Sequence, residues 1–319
     1  MKKIRIAVIG IGHLGTRHVK CLSALAPKVE LVAVCDTKVR RTKKVAEHYG
    51  VPFVKDYRTL LGKVDAVDIV VPTFAHHDVA KFFLDHSVHV FVEKPIASTL
   101  DEADSLISTA QKHNLCLQVG HVERFNSAFQ AITKFTRDPL FIECHRLNGF
   151  PNRSLDIGVV QDLMIHDLDI VLALNRCAVK NFHAVGINVL TDKEDISSVR
   201  LVFENGCTCN LTASRISDEV MRKIRIFTRK AYISLDYVKQ EAFIYRKKGP
   251  LIMKHALPIE KEEPLKQELE SFADSILRGK PPVVSGKAGR DALALALDIQ
   301  QNMTDNRETV DRYYKKSAR

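Results

Sequence analysis

Residues 4–15 read Ile4-Arg5-Ile6-Ala7-Val8-Ile9-Gly10-Ile11-Gly12-His13-Leu14-Gly15. Ile4 to Ile9 is a short, mostly apolar run of the kind a buried strand presents. The glycine turn follows at once. An amphipathic segment then runs from Leu14 to about Leu25, with Leu14, Val19, Leu22 and Leu25 near helical spacing. A second strand, Glu30 to Cys35, ends at Asp36, 21 residues beyond Gly15. Strand, Gly-x-Gly-x-x-Gly turn, helix, strand and acid, in that order, are the parts of a dinucleotide-binding βαβ unit.

Each glycine has a mechanical reason. Gly10 allows the tight turn out of the strand, Gly12 lets the backbone approach a pyrophosphate, and Gly15 permits close packing of helix on strand. The helix opens at His13 and Leu14, where unpaired amides and the positive end of the helix dipole suit phosphate oxygens. Asp36 is placed to accept bonds from both ribose hydroxyls. That favours NAD, because a carboxylate repels a ribose phosphate; Arg40 and Arg41 nearby keep NADP open.

Outward from this unit, strands and helices continue to alternate. The patterns predict a helix over Val39 to Tyr49 stopping near Gly50, a short strand at Phe53-Val54 and a short helix over Tyr57 to Leu61. They continue with a strand over Ala66 to Val71, a helix over Asp78 to Asp85 and a strand over Val88 to Val92. A helix over Leu100 to His113 and a strand over Leu115 to Val119 complete the series. Such alternation argues for a parallel sheet covered on both faces. Past Gly120 the texture changes. Helices are expected near Ser127 to Phe135 and over Val159 to Leu174, with a strand at Phe141 to Arg146. Alternating runs then recur from Asn181 to Tyr245, as in a mainly antiparallel sheet. Two helices, Leu265 to Leu277 and Gly289 to Met303, close the chain. The expected fold is α/β, with domains over 1–120 and 121–319 and the final helices free to pack back on the first.

Composition narrows the class. The 319 residues are 45% hydrophobic, with no tryptophan and no apolar run as long as a membrane span. The first residues superficially resemble a secretory signal, but the apolar run breaks at Gly10, Gly12 and His13, so a cytoplasmic protein is expected. Seven scattered cysteines suggest free thiols; Cys207 and Cys209 alternate with Thr208 and should point the same way, with no ligand set for a metal. The net charge of +10 carries no nucleic-acid motif and would assist anionic ligands by steering.

Polar clusters stand at predicted strand ends, where doubly wound folds bind ligands. They include Pro72-Thr73-Phe74-Ala75-His76-His77, Glu93-Lys94-Pro95 and Gly120-His121-Val122-Glu123-Arg124-Phe125-Asn126. Lys94 follows a buried strand and is fixed by the next proline, so its direction is set by stiff backbone. It reads either as a functional amine or as a lysine snorkelling at a strand end. Asp162 and His166 are four apart, on one face of a helix, where a carboxylate can orient an imidazole as general base. Their other reading is a surface pair, but Val159, Val160, Leu163, Met164 and Ile170 make this helix look buried. Either His76 or His77 fits the cofactor side or a helix start. Arg124 fits an anion or an interdomain ion pair. Asp167 and Asp169 read as surface residues or local partners.

Together, Gly10-x-Gly12-x-x-Gly15, Pro72-x-x-x-His76, Glu93-Lys94-Pro95 and Asp162-x-x-x-His166 resemble the glucose–fructose oxidoreductase/inositol dehydrogenase/rhizopine catabolism (Gfo/Idh/MocA) family, over essentially the whole chain. The resemblance implies an N-terminal Rossmann domain with a parallel sheet. It also implies a C-terminal α/β domain on an open, mainly antiparallel sheet whose free face mediates homodimers or homotetramers. Tightly held NAD or NADP and hydride transfer at a sugar or cyclitol hydroxyl come with it. It places Pro72, Thr73, His76, Glu93 and Lys94 on the cofactor side with the glycine turn and Asp36. Thr73 departs from the asparagine many relatives have. Lys94, Asp162 and His166 become the catalytic candidates: His166 as base, Asp162 as its orienter, Lys94 beside the alkoxide, with either His166 or Lys94 able to take the proton. The run His121-x-x-Arg124-Phe125-Asn126, the loop holding Arg153, and Asp162 to Asp169 look most like the nucleotide-sugar branch, which oxidises the 3-hydroxyl of UDP-N-acetylglucosamine or its uronic acid. His121, Arg124, Asn126 and Arg153 are its substrate-side candidates. Inositol, free-sugar and dihydrodiol dehydrogenases are the alternatives within the family, and a nucleotide-binding regulator without turnover is the alternative outside it.

Overall fold

The computed structural model describes residues 3–150 and 157–317. Two compact units emerge, one of residues 1–125 and 262–291, the other of 126–261 and 292–319. In the first, strands and helices alternate as β1 (Ile4–Ile9), α1 (His13–Ser23), β2 (Val29–Cys35), α2 (Val39–Tyr49), β3 (Phe53–Val54), β4 (Ala66–Ile69), α3 (His76–Asp85), β5 (His89–Glu93), α4 (Leu100–Lys112) and β6 (Leu117–Gly120). The sheet order is β3-β2-β1-β4-β5-β6 and every pairing is parallel. The chain order reverses at β1 and β4, so the crevice beyond their carboxyl ends is the ligand edge of a Rossmann sheet. Local chemistry sets the boundaries. Gly50 ends α2 in the left-handed region at φ +65°. Thr99 and Glu102 start α4 with a reciprocal capping box.

The second unit holds α5 (Ser127–Ile132), β7 (Pro139–Leu147), α6 (Ile165–Asn175), β8 (Val179–Ile187), β9 (Ile196–Phe203), β10 (Thr208–Ser214), β11 (Met221–Thr228), β12 (Tyr232–Asp236), β13 (Glu241–Lys248) and β14 (Leu251–Ala256). Its order is β14-β13-β12-β11-β7-β10-β9-β8, antiparallel except where β10 runs beside β7. Alternate residues such as Ile142, Cys144, Ile224, Ile226 and Ile244 face a dry core shared with α6. On the opposite face the rings of Phe141, Phe227, Tyr232 and Tyr245 follow one another across four strands, at centroid spacings of 5.7, 4.8 and 4.8 Å. The two remaining helices are α7 (Pro264–Arg278) and α8 (Gly286–Ser317). Leu265, Leu269 and Phe272 of α7 return to the core of the first unit, with Phe272 edge-on to Phe91. From Ala292 on, α8 supplies Leu295, Ile299 and Met303 to the core of the second.

Three differences from the sequence reading have physical causes. Strand β14 was not expected, because all six of its residues are exposed and no period-two burial marks it. Helix α8 runs on past Met303 to Ser317. The helix expected over Val159 to Leu174 is a π turn over Val160–Met164 continued by α6. Cys207 and Cys209 do point the same way, with sulfurs 4.0 Å apart.

Candidate active site

At the glycine turn, backbone meets backbone. Gly10 has φ +95°, and a Cβ there would lie 2.5 Å from the Val70 carbonyl oxygen; one at Gly15 would lie 1.8 Å from the Gly10 carbonyl oxygen. A Cβ at Gly12, by contrast, would have nothing within 4 Å. Helix α1 opens at Gly12 without a side-chain cap, so the amides of its first turn face open space. That arrangement fits a pyrophosphate. Asp36, at the end of β2, has one carboxylate oxygen accepting from the Ile11 amide at 2.7 Å and the other from the Lys38 amide at 2.8 Å. The Arg41 guanidinium stands 3.3 Å from the first of these oxygens. Lys38, Arg40, Arg41 and Lys44 line a depression beside it. Asp36→Ala should therefore weaken NAD more than NADP, since only the unphosphorylated ribose can use the carboxylate while the arginines remain. Fluorescence titration of both cofactors checks this; equal losses would take Asp36 off the ribose.

The ends of β4 and β5 are tied together. Pro72 precedes a single 3-10 turn over Thr73–Ala75 that leads into α3. His76 is buried, its Nδ1 2.8 Å from the Pro95 carbonyl oxygen and its Nε2 2.9 Å from that of Val71. Burial pushes its pKa below the ordinary value, against the opposing pull of these two carbonyl oxygens. The Lys94–Pro95 peptide is cis, and Lys94 is half-buried. Glu93 accepts the Lys94 amide at 3.2 Å. A Cβ at Gly120 would come within 2.9 Å of the Glu93 carboxyl group, so only glycine fits beside it.

Two residues that sequence reading passed over complete this cluster. His18 Nδ1 donates to Asp68 at 2.9 Å, and its Nε2 stands 3.2 Å from Glu93, a charge contact rather than an aligned hydrogen bond. Burial alone would push His18 down; Asp68 and Glu93 together raise it to about 10. Glu93 is held below the ordinary carboxylate range despite burial, first by His18 and then by Lys94. The signal available was Asp68 itself, an acid inside an otherwise apolar strand, which demands a partner. A pH dependence follows. The folded His18 pKa lies above the ordinary value of about 6.5. Its stabilisation is therefore fully present below that value and is lost as pH rises through about 10. Urea unfolding should show the midpoint falling between neutral pH and that limit; a midpoint that does not move would contradict the charged ring.

In the second unit, Asp162 lies on the π turn, its amide bonded to the Gly158 carbonyl at 3.1 Å, and His166 lies in the first turn of α6. Both are half-buried. Asp167 and Asp169 are buried at 3% and 2% exposure, which rules out the surface alternative and leaves that of local partners. Asp167 takes both Nε and Nη2 of Arg146, at 2.8 and 2.9 Å, and so fastens the first turn of α6 to β7. Buried Glu194 approaches the Val160 amide and accepts from Gln300 at 3.2 Å, where Gly158 leaves room for it. Asp195 accepts the amides of Val189, Leu190 and Thr191 and pairs with Arg215, which holds the Ile157 carbonyl at 2.8 Å. Burial would raise Asp195; those amides and Arg215 hold it well below the ordinary range.

His121 is buried and Arg124 half-buried around the 3-10 turn Val122–Phe125 of the first unit. Asn126 is buried; it caps α5 through the Ala128 amide and donates to the Tyr237 carbonyl at 3.1 Å. Arg153 lies outside the described residues.

A Rossmann sheet with an open, uncapped phosphate turn, followed by a lysine at a strand end, defines a nicotinamide-dinucleotide oxidoreductase. The chain belongs to the Gfo/Idh/MocA oxidoreductase family. The family model described as an oxidoreductase family with an NAD-binding Rossmann fold matches residues 4–121, and the family's C-terminal domain model matches residues 120–234. The chain is 36% identical to UDP-N-acetylglucosamine 3-dehydrogenase of Acidithiobacillus ferrooxidans, over 94% of this chain and 97% of that one. It is 27% identical to myo-inositol 2-dehydrogenase of Thermotoga maritima, over 95% and 97% of the two. The solved structure of the Acidithiobacillus enzyme superposes with a TM-score of 0.90, covering 95% of this chain and 98% of that one.

Proposed function

We propose that this oxidoreductase removes hydride from the 3-hydroxyl carbon of a UDP-N-acetylglucosamine-type sugar. The observation that carries the reading is the end-to-end similarity to an enzyme of that name, at 36% identity, against 27% to the inositol enzyme. NAD, when bound, supplies the hydride acceptor. Gly12 and the amides of His13 and Leu14 would hold its pyrophosphate, and Asp36 its ribose. On the substrate, His166 accepts the hydroxyl proton on its ring and Asp162 orients that ring. The Lys94 ammonium stabilises the alkoxide as charge develops on oxygen. Arg124 and Arg153 are the cations we assign to the diphosphate, since a guanidinium offers paired donors to phosphate oxygens.

The aromatic row on the free face of the second sheet supports self-association through that face as a homodimer or homotetramer. Among the described residues no helix is long and apolar enough to cross a membrane, which accords with the cytoplasmic location we propose. The deciding experiment offers UDP-N-acetylglucosamine, its uronic acid, inositols and free hexoses with NAD, and follows absorbance of the reduced nicotinamide. Turnover of the UDP-sugars is expected. Turnover of inositol or hexose alone would overturn the substrate, and no turnover of any alcohol would favour a regulator.

A further inference from the structure

A second cleft opens in the first unit, at the amino ends of β5 and β6. β5 begins at His89 and β6 at Leu117; around these starts lie the ends of α4 and α7 and the first turn of α8. The space between them is about 680 Å³, within the range of sites that take small organic molecules. Its walls are tied down. The Val119 amide donates to the Val284 carbonyl at 3.1 Å, and the Lys280 amide to that of Ser275 at 2.9 Å. Ile107, Leu117 and Ile276 give the cleft apolar surface. Gly286 lets α8 start against it, since a Cβ there would meet Leu117 at 2.8 Å and Ile107 at 3.0 Å.

The charged groups of this cleft are of one sign. Lys280 and Lys287 line it, and no carboxylate does. Lys287 pairs with Asp291, whereas Lys280 is in no ion pair among the described residues. His89 adds a neutral donor. Its Nδ1 accepts the Cys116 amide at 2.9 Å. A backbone amide can only donate, so Nδ1 carries a lone pair and the proton sits on Nε2. Burial pushes the pKa of the ring below the ordinary value, in keeping with that state. Among the described residues nothing accepts from Nε2. Cys116 brings no nucleophile, because burial pushes its thiol up to about 12. The cleft has the means to hold a molecule and none to transform it.

We propose that this cleft binds an organic anion with an apolar body, a carboxylate or sulfonate. Lys280 takes the anionic group, with the His89 Nε2–H as a further donor, and Ile107, Leu117 and Ile276 take the body. Both parts are needed. A bare inorganic anion leaves the apolar wall unused, and an uncharged body leaves the Lys280 ammonium without a counter-charge. Rossmann sheets bind dinucleotides beyond the carboxyl ends of their strands, so this site and the glycine turn can be filled together.

The test is a fluorescence titration of the whole protein, saturated with NAD, using anilinonaphthalene sulfonate as the probe. The probe should bind while NAD stays bound. Its uncharged counterpart, phenylnaphthylamine, should bind at least about 10-fold more weakly, and inorganic phosphate should not displace it. Lys280→Glu, a change at an exposed position, should raise the Kd of the sulfonate about 10-fold, the scale of one charge-assisted hydrogen bond. Nitrogen spectra of histidine-labelled protein locate the probe. The His89 ring should show one protonated nitrogen, and its Nε2 signal should move when the sulfonate is added. Displacement of the probe by NAD, equal affinity for the uncharged counterpart, or displacement by phosphate would each overturn the proposal. So would a His89 signal that stays where it was, whether or not Lys280→Glu folds. No sugar and no turnover enter the measurement, so its outcome is separate from that of the UDP-sugar reading.

Discussion

Lys94→Ala is expected to lower kcat by about 10²–10⁴-fold, the usual contribution of a positioned acid–base group, while NAD should bind with nearly its wild-type affinity. The division follows from place. In the proposed reading, binding energy for the dinucleotide comes from the uncapped start of α1, the open space at Gly12 and the carboxylate of Asp36. Lys94 stands instead at the end of β5, on a turn fixed by Pro95, with its amide held by Glu93. Removing its side chain takes away a charge that matters when the substrate oxygen becomes negative, and leaves the phosphate turn as it was. Isothermal titration with NAD and steady-state turnover of the accepted sugar separate the two quantities. A variant with near-normal kcat would remove Lys94 from the mechanism; one that no longer binds NAD would move it to the cofactor.

The ease with which this lysine is picked out of the sequence, and the difficulty with His18, have the same origin. Strands of a doubly wound sheet are buried on both faces, so β1, β4 and β5 read as short apolar runs, and whatever polar residue follows them stands out. Lys94 follows β5; Asp162 and His166 stand four apart in a segment otherwise rich in apolar residues. Gly50 marks the end of α2 because its φ of +65° is one that other residues avoid. His18 offers no such contrast. One histidine on an amphipathic helix is ordinary, and its partners lie 50 and 75 residues further on. They become neighbours only when β4 pairs with β1 and β5 pairs with β4, a register that periodicity does not contain. The same holds for Asp167, which looks like a solvated acid until β7 brings Arg146 against it.

At the sheet edge and the chain end, legibility fails for the opposite reason. Leu251 to Ala256 are exposed on both faces, so nothing alternates, and the strand is held by backbone bonds to β13 and by Lys254 over the Phe243 ring at 4.0 Å. Past Met303 the sequence is polar on every side, Thr304-Asp305-Asn306-Arg307-Glu308, and carries no stripe from which a helix could be read. Periodicity reports burial, and β14, exposed along its whole length, has none to report.

Breaking the Arg146–Asp167 pair should have a large effect on stability. Both side chains are nearly inaccessible, at 2% and 4%, and two parallel hydrogen bonds of 2.8 and 2.9 Å join them, with the guanidinium 5.7 Å over the Tyr237 ring. Arg146→Met leaves a carboxylate without its cation in a dry core, next to Cys144 and under α6. Loss of one partner from such a pair costs about 3–5 kcal/mol, because the remaining charge keeps its desolvation penalty. Replacing both, as Arg146→Met with Asp167→Leu, removes the penalty along with the attraction and should recover most of the loss. Urea unfolding of the wild type, the single variant and the double variant measures this. A single variant within about 1 kcal/mol of wild type, the range of exposed pairs, would mean that water reaches the site. The double variant carries a second expectation. Asp167 follows His166 directly and ties the first turn of α6 to β7. With stability restored but that tie gone, the imidazole is no longer aimed by a fixed turn, and kcat should stay below wild type even though the fold is sound.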